Sequence, residues 1–126
     1  MWNSIKNDVL QGLKQRAHTN RLIITGISLG GGLSCLSFVD INQAKIFDSI
    51  EIITFGAPRV GNKQWAEWFD KQTNSTRIYI KRDPIAFLPR CITPLCNYKQ
   101  TGQAIVCNLN AQTCQTKSKS EEVESY

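Results

Sequence analysis

Ser28 sits at the centre of Gly26-Ile27-Ser28-Leu29-Gly30, between a β-branched apolar run and a stretch of helical character. A serine so placed can act as a nucleophile. The G-x-S-x-G turn from strand to helix holds the hydroxyl in a sharp, strained bend at the carboxyl end of the strand. Flanking glycines leave out the Cβ atoms that would collide in so tight a turn. The helix beneath offers unpaired N–H groups and the positive end of its dipole to a developing oxyanion, with the N–H of Leu29 as one donor. The five-residue pattern is common by chance, and its weight comes from the order strand, turn, helix. The plainer alternative is a glycine-rich helix start that only packs closely.

Such a serine needs a base, and the base needs a carboxylate to orient it. Asp83-Pro84 ends the apolar run Arg77-Ile78-Tyr79-Ile80. A carboxylate there shares a sheet edge with Ser28, although Asp-Pro is equally a turn starter. The single histidine, His18, precedes the strand whose far end carries Ser28. At ~3.3 Å per residue, crossing that strand leaves His18 on the order of 20 Å from the hydroxyl. It cannot take the proton.

The elements that must position these groups follow from the apolar periodicity. Trp2, Ile5, Val9, Leu13 and Ala17 recur at helical spacing, which predicts an amphipathic helix. Leu22-Ile23-Ile24-Thr25 predicts a short strand buried on both faces and closed by Gly26. A helix follows from Ser28 to about Asp40, with Leu29, Leu33, Leu36 and Val39 on one side. Ile50 to Phe55 predicts a second strand, stopped by Gly56-Ala57-Pro58. Asn62 can cap a helix carrying Trp65, Ala66, Trp68 and Phe69. Arg77 to Ile80 is a third strand. Strands separated by helices imply one α/β domain over 1–126, a mostly parallel sheet with helices on both faces. After Pro89 the regularity fades. Tyr98 to Cys107 predicts a hairpin around Thr101-Gly102, and about 108–126 reads as loop or disordered tail.

A 41% apolar and 20% charged composition is that of an ordinary globular protein. No apolar run is long enough to cross a membrane, and Met1 to Lys6 does not begin a signal peptide. The formal charge of +5 is spread along the chain, and its longest basic cluster, Lys117 to Lys119, meets Glu121 and Glu122 at once. That pattern is a solvated surface and not a nucleic-acid footprint. Cys35, in the apolar helical stretch, reads as a buried free thiol. Cys91, Cys96, Cys107 and Cys114 fall in polar, loop-like sequence and admit three pairings, with two disulfides favoured over a zinc site of poorly fitting spacing. With Asn74-Ser75-Thr76, a glycosylation acceptor, they point to an oxidising compartment and a secretory origin. Neither a metal nor an organic cofactor is suggested.

A series of ordered motifs then resembles the class 3, fungal-type lipases of the α/β-hydrolase superfamily. Ile24 to Leu33 is similar to that family's T-G-H-S-L-G-G-A-L segment, and Phe55-Gly56-Ala57-Pro58-Arg59-Val60-Gly61-Asn62 to its F-G-x-P-R-V-G-N signature. Asp83-Pro84-Ile85 with Leu88-Pro89 resembles D-P-V-x-x-L-P, and Tyr98 to Val106 resembles the Y-x-H-x-G-x-E-V-W hairpin. Together they cover roughly 20–106. The resemblance implies a partial α/β-hydrolase fold and hydrolysis of esters in acylglycerols or related lipids. It makes Ser28 the nucleophile, Asp83 the acid and a lipid ester at a lipid–water interface the partner.

The sequence departs from the family pattern in several places. The family histidine lies near the C-terminus in a D-H-x-x-Y setting, and Glu122-Val123-Glu124-Ser125-Tyr126 puts Val123 in its place. Ile27 and Gln100 replace histidines that are not triad members. The family's early strands, lid and second oxyanion donor have no counterpart here, as in a fragment. Three readings follow. One is a lipase whose base comes from outside these residues. Another is a non-catalytic relative binding a lipid or a partner, with this chain expected to be inactive as it stands. The third, a basic module for anionic membranes or nucleic acid, rests on net charge alone.

Overall fold

The computed structural model describes residues 1–90 and 95–118. Three helices, α1 (Trp2–Arg16), α2 (Leu29–Gln43) and α3 (Lys63–Gln72), alternate with strands β1 (Arg21–Ile27), β2 (Ser49–Phe55) and β4 (Asn74–Ile80). The short strands β3 (Gly61–Asn62) and β5 (Tyr98–Lys99) pair with each other, and β6 (Gln103–Asn108) and β7 (Thr113–Lys117) close the order. The main sheet runs β1-β2-β4-β6-β7. Its first four strands are parallel, and β7 returns antiparallel.

The sequence explains the local choices. Asn62 caps α3 by accepting a hydrogen bond from the backbone N of Trp65 at 2.8 Å, a contact of about 1 kcal/mol. Successive crossovers step in one direction along the sheet, and right-handed connections then place α2 and α3 on the same face. Their core joins Cys35 and Phe38 of α2, Phe69 of α3 and Ile52 of β2. Phe38 meets Phe69 edge-on at 5.2 Å, and each such side chain gains about 1.5–3 kcal/mol by burial.

Three expectations change here. Among the described residues helices do not cover both faces, because α2 and α3 share one and α1 packs on α2. β1 is therefore not buried on both sides: its residues alternate, and Arg21, Ile23, Thr25 and Ile27 are exposed. The leucine side of α2 is not its packing face either. Leu29 and Leu36 are exposed, while Gly31, Ser34, Cys35, Phe38 and Ile41 are buried. Small residues face the sheet because α2 approaches so closely that a Cβ on Gly31 would press on that of Ala57.

The last third also differs. Tyr98 to Cys107 is not a hairpin, since β5 pairs with β3 and β6 with β4. The hairpin lies further on, between β6 and β7, so residues 113–117 form a strand where loop or tail was expected. Cys107 and Cys114 join across it. Cys96 is also disulfide-bonded. Cys91 and residues 119–126 of the expected tail lie outside the described residues. Among the described residues no helix is long and apolar enough to cross a membrane.

Cys35 is free and buried. Burial pushes its thiol from an ordinary 9.0 up to about 11, against the lowering effects of a hydrogen bond with Thr101 and the charge of Arg77. The folded state thus favours the neutral thiol. Its stabilising effect is complete below about pH 9 and fades as pH rises through about 11. A water-soluble alkylating reagent at pH 8 is expected to leave Cys35 unmodified in the fold and to modify it fully in urea. Fast native labelling, read by mass, would contradict this.

Candidate active site

The bend at Ser28 is present. Its backbone takes φ 52 and ψ −125, a region costly for any residue but glycine. The neighbours hold that conformation. Ser28 N–H donates to Phe55 O at 2.8 Å, anchoring the turn to the end of β2, and Ser28 O accepts from Gly31 N at 2.9 Å as α2 begins. The side chain is exposed at the carboxyl rim of the sheet. The helix starts at Leu29, so Ser28 is its cap position and the N–H of Leu29 belongs to the first turn, where no intrahelical acceptor exists.

The two elbow glycines have unequal roles. A Cβ on Gly26 would overlap the carbonyl of Gly30, whereas one on Gly30 would meet nothing within 4 Å. The close approach therefore rests on Gly26 and Gly31. Gly30 is not sterically required.

Asp83 reaches the same rim. The turn after β4 is closed by Asp83 N donating to Ile80 O at 2.9 Å, and Asp83 Oδ1 accepts from Ile85 N at 2.9 Å. Its other oxygen, Oδ2, stands 2.9 Å from where a Cβ on Gly56 would lie, so a side chain there would press on the carboxylate. Gly56 also has φ +56. Since Phe55 receives the Ser28 amide and Gly56 underlies the Asp83 carboxylate, the two candidates converge on adjacent residues where β2 ends. His18 does not join them. It lies between α1 and β1, at the opposite end of a seven-residue strand, on the order of 20 Å away. Asn74 is exposed at the start of β4, also on that far rim.

Gln100 does more than its sequence signalled. Its Nε2 donates to Ala86 O at 2.6 Å and to Ala57 O at 3.3 Å. One amide thus ties the loop after β2 to the turn after Asp83. The available signal was that Gln100 stands where the resembling hairpin carries another side-chain donor.

The comparisons with known proteins point to one family. The family described as Lipase (class 3) matches residues 1–93. The secreted mono- and diacylglycerol lipase A of Penicillium cyclopium is 30% identical over 91 residues, covering 70% of this chain and 30% of that protein. Lipase II from Rhizopus niveus superposes with a TM-score of 0.77 at 25% identity, over 93% of this chain and 46% of its own. The Rhizomucor miehei lipase in its propeptide complex gives 0.75 at 26% identity, over 92% and 38%. The chain spans less than half the length of these relatives. With the strained serine turn, the parallel sheet and the family match over most of its length, the chain belongs to the class 3 lipases.

Proposed function

We propose that this chain carries the nucleophile half of a serine ester hydrolase acting on acylglycerols or related lipid esters, and that its base comes from outside these residues. Ser28 Oγ adds to the ester carbonyl as its proton passes to that base. The Leu29 N–H and the start of α2 receive the oxyanion, and Asp83 orients the base. The observation that carries this reading is the strained turn at Ser28 facing the same loop as the Asp83 carboxylate. The absence of any histidine beyond His18 favours a second reading for the chain acting alone, a catalytically silent binding module. Loss of a triad base costs about 10⁴–10⁶ in kcat.

Chemical rescue separates the two. Residues 1–126 are expected to hydrolyse p-nitrophenyl butyrate at near background rate. Added imidazole, serving as the missing base, should raise a component that saturates with ester and vanishes in Ser28→Ala. If imidazole accelerates both proteins equally, Ser28 is not the nucleophile and the silent module stands.

A further inference from the structure

The rim opposite Ser28 carries the amino ends of β1, β2 and β4, and Asn74 opens β4 there. Asn74-Ser75-Thr76 has the pattern that a secretory glycosyltransferase reads, and the ester-hydrolase reading gives it no part. Asn74 is exposed, Ser75 buried and Thr76 half-buried. Alternate side chains of a strand share a face, so the Asn74 amide and the Thr76 hydroxyl stand on one side of β4. The tripeptide is nonetheless held in the sheet. Asn74 faces Glu51 of β2, and Thr76 is paired with both Ile53 of β2 and Gln103 of β6. An enzyme gripping three successive residues would have to draw a central strand out of two ladders. Transfer therefore belongs to the chain before β4 is paired, and folding then leaves the Asn74 side chain outside.

Two further observations point the same way. Cys107 is joined to Cys114, and Cys96 is disulfide-bonded, which suits the oxidising lumen where such glycans are added. The surface beside Asn74 also suits a sugar. Asn74, Thr76, Gln103, Lys117 and Asp70 are among the residues lining a cleft of about 420 Å³, a size that takes a small ligand. Gln103 is exposed and Lys117 half-buried. A hydroxyl, an amide, an ammonium and a carboxylate supply the donors and acceptors that sugar hydroxyls and an acetamido group pair with.

We propose that Asn74 carries an N-linked glycan, transferred before β4 joins the sheet, whose first N-acetylglucosamine lies in this cleft. In the transfer Asn74 Nδ2 bonds to C1 of the sugar of a lipid-linked oligosaccharide diphosphate. The C1–O bond to the diphosphate breaks, the lipid diphosphate leaves with the electron pair, and the amide yields one proton to the transferase. The glycan stands across the length of the sheet from Ser28, on the order of 20 Å away, so the hydrolase reading neither needs it nor falls with it.

Secretion of the full chain from yeast behind a cleavable leader tests the site. A slower band that endoglycosidase H collapses is expected. Asn74→Gln and Thr76→Val should abolish that band, while Thr76→Ser, which keeps the hydroxyl, should retain it. A secreted chain without the glycan, or a band that survives Asn74→Gln unchanged, would overturn the site. The timing is read on bacterially made chain given microsomal transferase and lipid-linked oligosaccharide. The reduced, carboxymethylated chain should acquire the glycan and the folded chain should not, and transfer to the folded chain would refute the order of events. The seat is read by thermal melts. The glycosylated chain, and the same chain trimmed to its first sugar, should both melt about 3–6 °C above the bare chain, the size of one or two net hydrogen bonds. Gln103→Ala with Lys117→Ala should remove that gain. Equal melting of the glycosylated, trimmed and bare chains would show that the sugar does not lie in the cleft.

Discussion

Gly26→Ala is expected to cost about 3 kcal/mol or more and to dismantle the turn at Ser28, whereas Gly30→Ala is expected to be neutral or mildly stabilising. The motif alone treats these two glycines as equivalent, and the structure does not. A methyl group on Gly26 would overlap the Gly30 carbonyl oxygen, lie 2.5 Å from its carbon and 2.6 Å from Ser34 Oγ. Two of those atoms are backbone in the first turn of α2, so no rotamer change relieves the clash. The helix would have to withdraw from β1, taking the Leu29 N–H with it. Gly30 faces open space within the helix, where alanine gains up to about 1 kcal/mol in propensity. Urea denaturation of the two variants provides the check. Coincident midpoints would show that α2 does not press on β1 as described.

Gly102→Ala is expected to destabilise by a comparable amount, about 3 kcal/mol or more, for two reasons that add. Gly102 has φ +67, and its Cβ would overlap both the hydroxyl and the backbone oxygen of Ser75. Its N–H also donates to Asp70 Oδ1 at 2.6 Å. Beside it, the buried Arg77 donates through Nε to Thr101 O at 2.6 Å. Displacing residues 101–102 therefore takes one acceptor away from a buried guanidinium, which is costly. Gly12→Ala, in α1 with nothing within 4 Å, is the natural control and should stabilise slightly. A thermal melt of Gly102→Ala within a degree or two of the parent would show that the entry to β6 is not fixed by this contact.

Gly102 also shows where the sequence stops being legible. Thr101-Gly102 looks like a hairpin turn by local chemistry, and the left-handed backbone of Gly102 is real. What local chemistry cannot encode is the partner. β5 and β6 flank that glycine yet join different sheets, because each pairs with a strand distant in sequence. The same limit hid β7, whose Thr113–Lys117 run is polar and exposed and so lacks the apolar alternation that marks a half-buried strand. Elements with strong local signals were legible: the Asn62 cap, the β-branched runs of β1 and β2, and the serine turn between strand and helix. At the site, the rim shared by Ser28 and Asp83 could be read from strand ends alone. The supporting contacts could not. That Gly56 underlies the carboxylate, and that Gln100 bridges two loops, depends on side chains meeting across 14 to 43 residues of chain.

The one-sided pairing of β1 has a mechanical consequence. In a parallel ladder, alternate residues turn both N–H and C=O away from the neighbouring strand. Because Ser28 N–H faces β2, the residue before it points the other way, and Ile27, Thr25 and Ile23 offer their amide groups to the sheet's outer border. The bend is thus gripped on one flank while its other flank is a handle. A polypeptide segment bonded along that border would hold the peptide unit directly preceding the serine, and through it could stiffen or retune the hydroxyl's aim without ever touching the cleft.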